Sequence, residues 1–198
     1  MESDLPEGAT PLDPDETEGL IPGHVTTRAE LNELEEANIG IGASWALTAA
    51  VLSSRRVDVL TEEFLYQLHR RMFGEVWEWA GQVRRTNKNI GVDKREIRVE
   101  IRNLLADAAV WREDAVYPPD ELAVRFHHRL VWIHPFPNGN GRHARLMADL
   151  IAQQLGRPPF SWGGQALLET SALRATYIEA VRMADGGDYQ PLIDFARS

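Results

Sequence analysis

The 198-residue chain contains no cysteine, which excludes a disulfide framework, thiolate metal ligands and a cysteine nucleophile, and which fits a reducing compartment. No apolar run is long enough to cross a bilayer, so no membrane association is expected. The opening residues, Met1 to Leu5, are acidic and polar, without the basic start and apolar stretch of a secretory leader; a cytoplasmic location is expected. Positive charge is scarce: 21 Lys and Arg face 30 Asp and Glu, for a formal net charge of -9. That excess opposes direct binding to nucleic acid and confines any phosphate recognition to a local site. What is present, 43% apolar and 26% charged residues, suits a single folded domain with a full hydrophobic core.

Residues 1–24 hold Pro6, Pro11, Pro14 and Pro22 among acidic residues and read as an irregular arm, ahead of one domain over 25–198. Thr27 followed by Glu30 is a capping-box pattern, so a long helix is expected from there to about Ser53, with Leu31, Leu34, Ile41 and Trp45 on its apolar face. Its acids, Glu30, Glu35 and Glu36, read as a solvated face. Thr61 is expected to cap a second helix with Phe64, Leu65, Leu68 and Met72 inward, and Gly74 to take the left-handed position after its end. Trp77 to Gly81 reads as a packed turn, and residues 82–97 as a short hairpin or extended loop. A helical stripe resumes from Val99 to Trp111, and Asp120 is expected to cap the helix that Pro135 interrupts. Further helices are expected after Gly141 and from about Thr170 to Ala184, making the fold mostly helical.

Between two of these helices lies His134-Pro135-Phe136-Pro137-Asn138-Gly139-Asn140-Gly141-Arg142, followed by His143, Ala144 and Arg145. Glycines on both sides of Asn140, where a helix begins, let backbone N–H groups approach a ligand closely, and the helix dipole adds partial positive charge there. Arg142 and Arg145, three apart, share a face of the first turns, and their planar guanidinium groups suit phosphate oxygens. His134 is the side chain whose ordinary pKa suits proton removal near neutrality, and a base beside a bound phosphate points to attack by a hydroxyl on that phosphate. A lone Gly-Asn-Gly would more simply be a connection between core helices; the ordered histidine, phenylalanine and arginines around it are not explained that way.

That order resembles the Fic family motif, His-Pro-Phe-x-x-Gly-Asn-Gly-Arg-x-x-Arg. Trp79-Ala80-Gly81 followed by Arg84 resembles the turn entering the Fic flap, and Tyr177 to Phe195 the closing helices, so the likeness runs over about residues 25–197. Pro11 to Ile39 also resembles the branch called mobile mystery protein B, whose members are often encoded beside a helix-turn-helix protein. The resemblance implies an all-α Fic fold, a helical bundle with a short β-hairpin flap beside the active-site loop. It implies a protein adenylyltransferase that moves AMP from ATP onto a Ser, Thr or Tyr hydroxyl of a target protein. His134 would be the general base; Gly139, Asn140 and Gly141 would bind the α- and β-phosphates; Arg142 would meet the β-phosphate and Arg145 the γ-phosphate. Residues 86–97 would be the flap, with Ile90, Gly91 and Val92 docking an extended target segment. The cofactor implied is Mg2+. Position 138 departs from the family's usual Asp or Glu: the Asn138 amide oxygen brings no charge to a hard cation, so metal binding would lean on the nucleotide phosphates.

Two other enzymatic or regulatory readings stay open. One uses another donor, transferring UMP, GMP or another phosphate-containing group; the other is a toxin held by a separate antitoxin-like or helix-turn-helix partner. The restraining helix of many relatives, Ser or Thr, three residues, Glu, then Gly or Asn, has no complete copy here, so Arg145 is expected to be free in the isolated chain. His127, His128, His134 and His143 are not read as a metal cluster, because adjacent helical residues point about 100° apart and no carboxylate sits at a recognised ligand spacing; His127 and His128 read as surface or packing residues. Trp77, Trp79, Trp111 and Trp132 are read as packing residues. Lys94, Arg95 and Arg98 form a basic edge, with guidance of an acidic target as the other reading.

Overall fold

Two threonines set the starts of the first two helices in the computed structural model, which describes residues 19–23, 25, 27–52, 57–164 and 171–198. Thr27 Oγ1 accepts from the Glu30 N–H at 3.2 Å while Glu30 Oε2 accepts from the Thr27 N–H at 3.0 Å, the reciprocal capping box expected from the sequence. Helix α1 runs Arg28–Leu47 and widens into a π-helical turn, Thr48–Leu52. Thr61 Oγ1 accepts from the Phe64 N–H at 3.2 Å and opens α2, Glu62–Phe73, whose Phe64, Leu65, Leu68 and Met72 are buried as their spacing predicts. Gly74 is a correction: it is right-handed, with φ -75°, not left-handed. Glycine suits the position because a Cβ there would stand 2.5 Å from the Arg70 carbonyl oxygen.

Helix α3, Ile97–Glu113, buries Ile97, Ile101, Leu104, Leu105 and Ala108. Helix α4, Pro119–Ile133, starts on two prolines, with Pro118 at the cap position and no side-chain cap bond, so Asp120 is not the cap. Pro119 at the first position has no N–H to satisfy, which leaves the Asp120 carboxylate for Arg197 Nε at 2.9 Å and Arg157 Nε at 3.2 Å. Asp120 thereby ties the C-terminal helix to the start of α4. Helix α5, Asn140–Gln154, begins one residue before Gly141 instead of after it; α6 is Ser171–Asp185 and α7 is Gln190–Arg197.

Helix α4 packs along α5, α1 against α2, and α6 with α7, which returns onto α4; α3 lies beside α4. Leu65, Leu68, Ile101, Phe126, Ile133, Phe136 and Met147 fill the interior, each 0% exposed. The architecture is the expected helical bundle. No described helix is long and apolar enough to cross a membrane. Of the irregular arm expected over 1–24, residues 1–18 and 24 lie outside the described residues. Residues 19–21 pair with 76–78 through an isolated antiparallel bridge between Leu20 and Trp77, flanked by Ile21 N–H to Val76 O at 2.9 Å and Glu78 N–H to Gly19 O at 2.9 Å.

The expected β-hairpin flap is not formed. Residues 82–96 are turns and bends, and among the described residues that bridge is the only β-type pairing. The reason is Arg84. Its buried guanidinium donates to the Thr86 carbonyl at 2.7 Å and to the Val92 carbonyl, oxygens that a ladder would otherwise use. Asn87 closes the tip, its Nδ2 donating to Asp93 at 3.2 Å and its Oδ1 accepting from the Lys94 N–H at 2.8 Å.

Candidate active site

The connection between α4 and α5 is built from inside. His134 ends α4 in the left-handed region, φ 53° and ψ 61°, a conformation uncommon for a residue with a Cβ and worth a cost of about 1 kcal/mol or more. Phe136 is fully buried, and both its backbone groups are taken by one side chain: its N–H donates to Asn140 Oδ1 at 2.9 Å and its carbonyl accepts from Asn140 Nδ2 at 2.8 Å. Below, the His69 ring of α2 stacks on the Phe136 ring at 3.7 Å. His69 Nδ1 accepts from the Gly81 N–H at 3.0 Å, so the ring proton sits on Nε2 and is donated to the Asn138 carbonyl at 3.1 Å. Gly139 then caps α5 with φ 76°; a Cβ there would meet the Phe73 ring at 2.5 Å, so two constraints require glycine.

His134 is held from the flap side. Arg84 Nε donates to its carbonyl at 2.7 Å, the Arg84 N–H to the Pro135 carbonyl at 2.9 Å, and the Val92 N–H to the Ile133 carbonyl at 3.4 Å. Gly91, with φ 91°, passes so close that an added Cβ would stand 2.6 Å from the His134 Cβ. With 7% of His134 exposed, burial first, then the Arg84 charge, pushes its pKa down to about 4, against a backbone contact with Val131 that raises it. The imidazole is therefore neutral at physiological pH, the form a general base requires.

At the other end of the loop the first-turn N–H groups of Asn140, Gly141 and Arg142 have no intrahelical acceptor and lie at the positive end of the α5 dipole. The Asn140 side chain is spent on Phe136, so any phosphate contact from this residue falls to its N–H. Arg142 lies over the Phe73 ring at 4.9 Å and donates to Glu35 Oε2 at 2.7 Å; Glu35 Oε1 accepts from Trp77 Nε1, also at 2.7 Å. This corrects the solvated-face reading of α1 for one of its acids: Glu35 is buried, while Glu30 and Glu36 are exposed. The helical stripe turns position 35 inward, and two donors distant in sequence compensate its charge. Arg145 lies over the Tyr177 ring at 5.7 Å, and no described carboxylate forms an ion pair with it. Burial, its largest influence, lowers its pKa. Tyr177 in turn meets His127 Nε2 at 3.0 Å.

The structure thus brings His134, Gly139, Asn140, Gly141, Arg142 and Arg145 together on one loop and the first turns of one helix. Gly91 and Val92 of the expected docking segment lie against it, whereas the Ile90 side chain is 41% exposed. Glu35, His69 and Tyr177 are additions that no short motif announced. The Asn138 amide oxygen accepts from the Gly139 N–H at 2.6 Å and stands 3.5 Å from Arg142, and the described residues contain no group of three or more His, Asp or Glu able to hold a metal. These residues do not fit a resident Mg2+. His127 and His128 are packing residues, His128 Nε2 meeting Asp185 at 2.8 Å.

Residues 59–152 match the family model described as Fic/DOC family. The chain is 30% identical over 169 residues to protein adenylyltransferase fic-1 of Caenorhabditis briggsae, covering 82% of this chain and 32% of that protein. It is 27% identical over 161 residues to protein adenylyltransferase Fic of Culex quinquefasciatus, covering 79% and 31%. It spans about a third of the length of these curated relatives. Among solved structures, Fic-1 from C. elegans superposes with a TM-score of 0.66 at 26% identity, over 92% of this chain and 51% of that one. BepC from Bartonella tribocorum, solved with bound AMPPNP, superposes with a TM-score of 0.68 at 19% identity, over 92% and 95%, a likeness of fold.

Proposed function

The chain belongs to the Fic/DOC family, and on that premise we propose that it is a protein adenylyltransferase, transferring AMP from ATP to a Ser, Thr or Tyr hydroxyl of a target protein. The observation that carries the reading is a neutral, buried His134 directly before a helix start whose N–H groups and two arginines suit a polyphosphate. His134 takes the proton of the incoming hydroxyl, whose oxygen forms a bond to the α-phosphorus. The bond from that phosphorus to the bridging oxygen breaks, and pyrophosphate leaves with the electron pair, so no covalent enzyme intermediate is needed. The first-turn N–H groups of α5 stabilise the developing charge, and Arg142 joins them on the β-phosphate by releasing or sharing Glu35. Arg145 is suited to the γ-phosphate. The nucleotide phosphates would have to hold any Mg2+, because the neutral Asn138 oxygen already accepts from the Gly139 N–H. The cysteine-free composition suits action in the cytoplasm.

His134→Ala should lower transfer by about 100-fold or more while nucleotide affinity, measured on the same preparation, stays near the parent value. Transfer at the parent rate would remove His134 from the mechanism. Mass spectrometry of a lysate incubated with labelled ATP, UTP and GTP names the donor by the added mass, which separates AMP transfer from its UMP and GMP alternatives. A separate antitoxin-like partner, if the chain is one half of such a pair, would act on Arg145, the arginine that Glu35 leaves alone.

A further inference from the structure

An open depression of about 560 Å3 lies between α2, the turn after Gly81 and the start of α3. Its walls carry Arg84, Arg85, Lys94, Arg95 and Arg98, five of the 21 lysines and arginines of a chain whose net charge is -9. Two of these charges are already engaged: Arg84 holds backbone carbonyls and Arg95 pairs with Asp93 at 2.9 Å. Arg85, Lys94 and Arg98 are exposed, and no described carboxylate lies within ion-pair distance of any of them. Opposing charges along the groove are Asp93, occupied by Arg95, Glu96, which also acts on Arg95, and Glu62, one turn before Tyr66, which acts on the Tyr66 hydroxyl. At the floor is the Tyr66 hydroxyl, inaccessible to solvent and without a hydrogen-bond partner, an uncommon state for a buried polar atom. Burial raises its pKa, with Glu62 adding to that and the Arg98 and Arg102 charges acting against it.

We propose that this groove binds an acidic segment of the target protein, so that aspartates or glutamates flanking the modified residue select the substrate. The inference rests on the transfer function proposed above. Its position supports a role in target binding: Arg84, the groove's rear wall, also donates to the His134 and Val92 carbonyls, so the groove and the base share one side chain. A chain entering beside His134 meets three unpaired cations at one flank. Like charges held together in a concave surface raise the local potential and favour an oppositely charged partner over a neutral one.

The test uses fluorescein-labelled peptides with a central Ser, Thr or Tyr, flanked by Asp and Glu, by neutral residues or by Lys, and the full chain as it stands. Fluorescence anisotropy should show the acidic peptides bound at least tenfold more tightly than the neutral ones. Raising salt should erase the preference, and Arg85→Glu with Arg98→Glu should abolish it while leaving nucleotide affinity unchanged. Lys94→Gln alone should weaken acidic-peptide binding about threefold, a milder change in case the double reversal disturbs folding. Equal binding of acidic and neutral peptides, equal binding of an oligonucleotide of matched charge, or retention of the preference in folded variants overturns the proposal. Acidic-peptide preference without transfer to any peptide would leave the groove standing and sink the transferase reading; transfer with flat peptide binding would do the reverse.

Discussion

Arg142 and Arg145 stand one turn apart on α5, and each lies over an aromatic ring, Phe73 at 4.9 Å and Tyr177 at 5.7 Å. Arg142 is held by the Glu35 carboxylate at 2.7 Å, whereas no described carboxylate pairs with Arg145. The two were equivalent in spacing and residue type, and a third element, α1, makes them different. Below, the parallel returns. His69 feels the Arg142 charge and His127 that of Arg145, and burial keeps both imidazoles neutral, with pKa values pushed well below the ordinary 6.5 for His69 and to about 3 for His127.

The largest effect expected from this arrangement is on acid stability, which should undermine both arginines' supports together. His127 and His143 are pushed to about 3 and His134 to about 4, chiefly by burial, from an ordinary value of 6.5. Below pH 6.5 the unfolded chain binds these protons and the folded chain does not. Stability is therefore fully present above that pH and is lost as pH falls toward 4, by about 1.4 kcal/mol per pH unit for each group. Asp149 opposes the trend: burial raises its pKa to about 6 from 3.8, so the folded chain takes up that proton first and gains stability as pH falls through this window. With His69 included, four groups outweigh one, and urea unfolding at pH 6.5 and pH 5 should differ by several kcal/mol. A flat profile would mean that the histidines are not buried neutral.

Truncation sharpens the contrast between the arginines themselves. Arg142→Ala leaves Glu35 with only the Trp77 N–H as partner, and an abandoned buried charge costs several kcal/mol. The Arg142 side chain is 28% exposed, so water can replace part of the pair and a loss of about 2 kcal/mol is expected. Arg145→Ala breaks no ion pair; it removes the side-chain hydrogen bond to the buried Tyr177, the contact with its ring and a favourable charge near Asp149, and should cost less, about 1 kcal/mol. Equal losses in denaturant melts would show that Glu35 contributes nothing through Arg142.

What the sequence revealed of this site was local, and what it hid was distant. The capping box at Thr27 and Glu30 and the cap at Thr61 are closed by atoms three residues apart, and the order from His134 to Arg145 names its own loop and helix start. Glu35 meets Arg142 across 107 residues, and the apolar pattern of α1 does not say which of its acids turns inward. His69 supports the loop from a helix with no motif of its own, and its signal would have been a histidine falling on the apolar stripe of α2 beside Leu65, Leu68 and Met72. Asp120 stands where proximity to the helix start suggests a cap that Pro118 and Pro119 make unnecessary, and its partners, Arg197 and Arg157, are 77 and 37 residues away. The missing hairpin has the same origin: residues 82–96 carry turn and strand signals alike, but one buried guanidinium, Arg84, occupies the carbonyls.

The smallest change isolates the charge of Glu35. Glu35→Gln keeps the size of the side chain and leaves an amide oxygen to accept from Trp77 Nε1, so the packing of α1 on the turn at 77 should persist. The ion pair to Arg142 loses its negative member, and the guanidinium becomes available to a β-phosphate without first breaking a charged contact. ATP and ADP affinity, read by isothermal titration, should rise about tenfold, equivalent to about 1.4 kcal/mol. Glu36→Gln, one residue on and exposed, should leave it unchanged. The mechanism is checked by combining changes: in an Arg142→Ala background the Glu35→Gln gain should vanish, because the two residues act through one contact and their effects are not additive. A gain that survives the loss of Arg142, or no gain at all in a folded variant, would show that Glu35 serves the fold and not the nucleotide. A gain without any other protein present would place restraint inside the chain at Arg142, leaving Arg145 as the point where a separate partner could add to it.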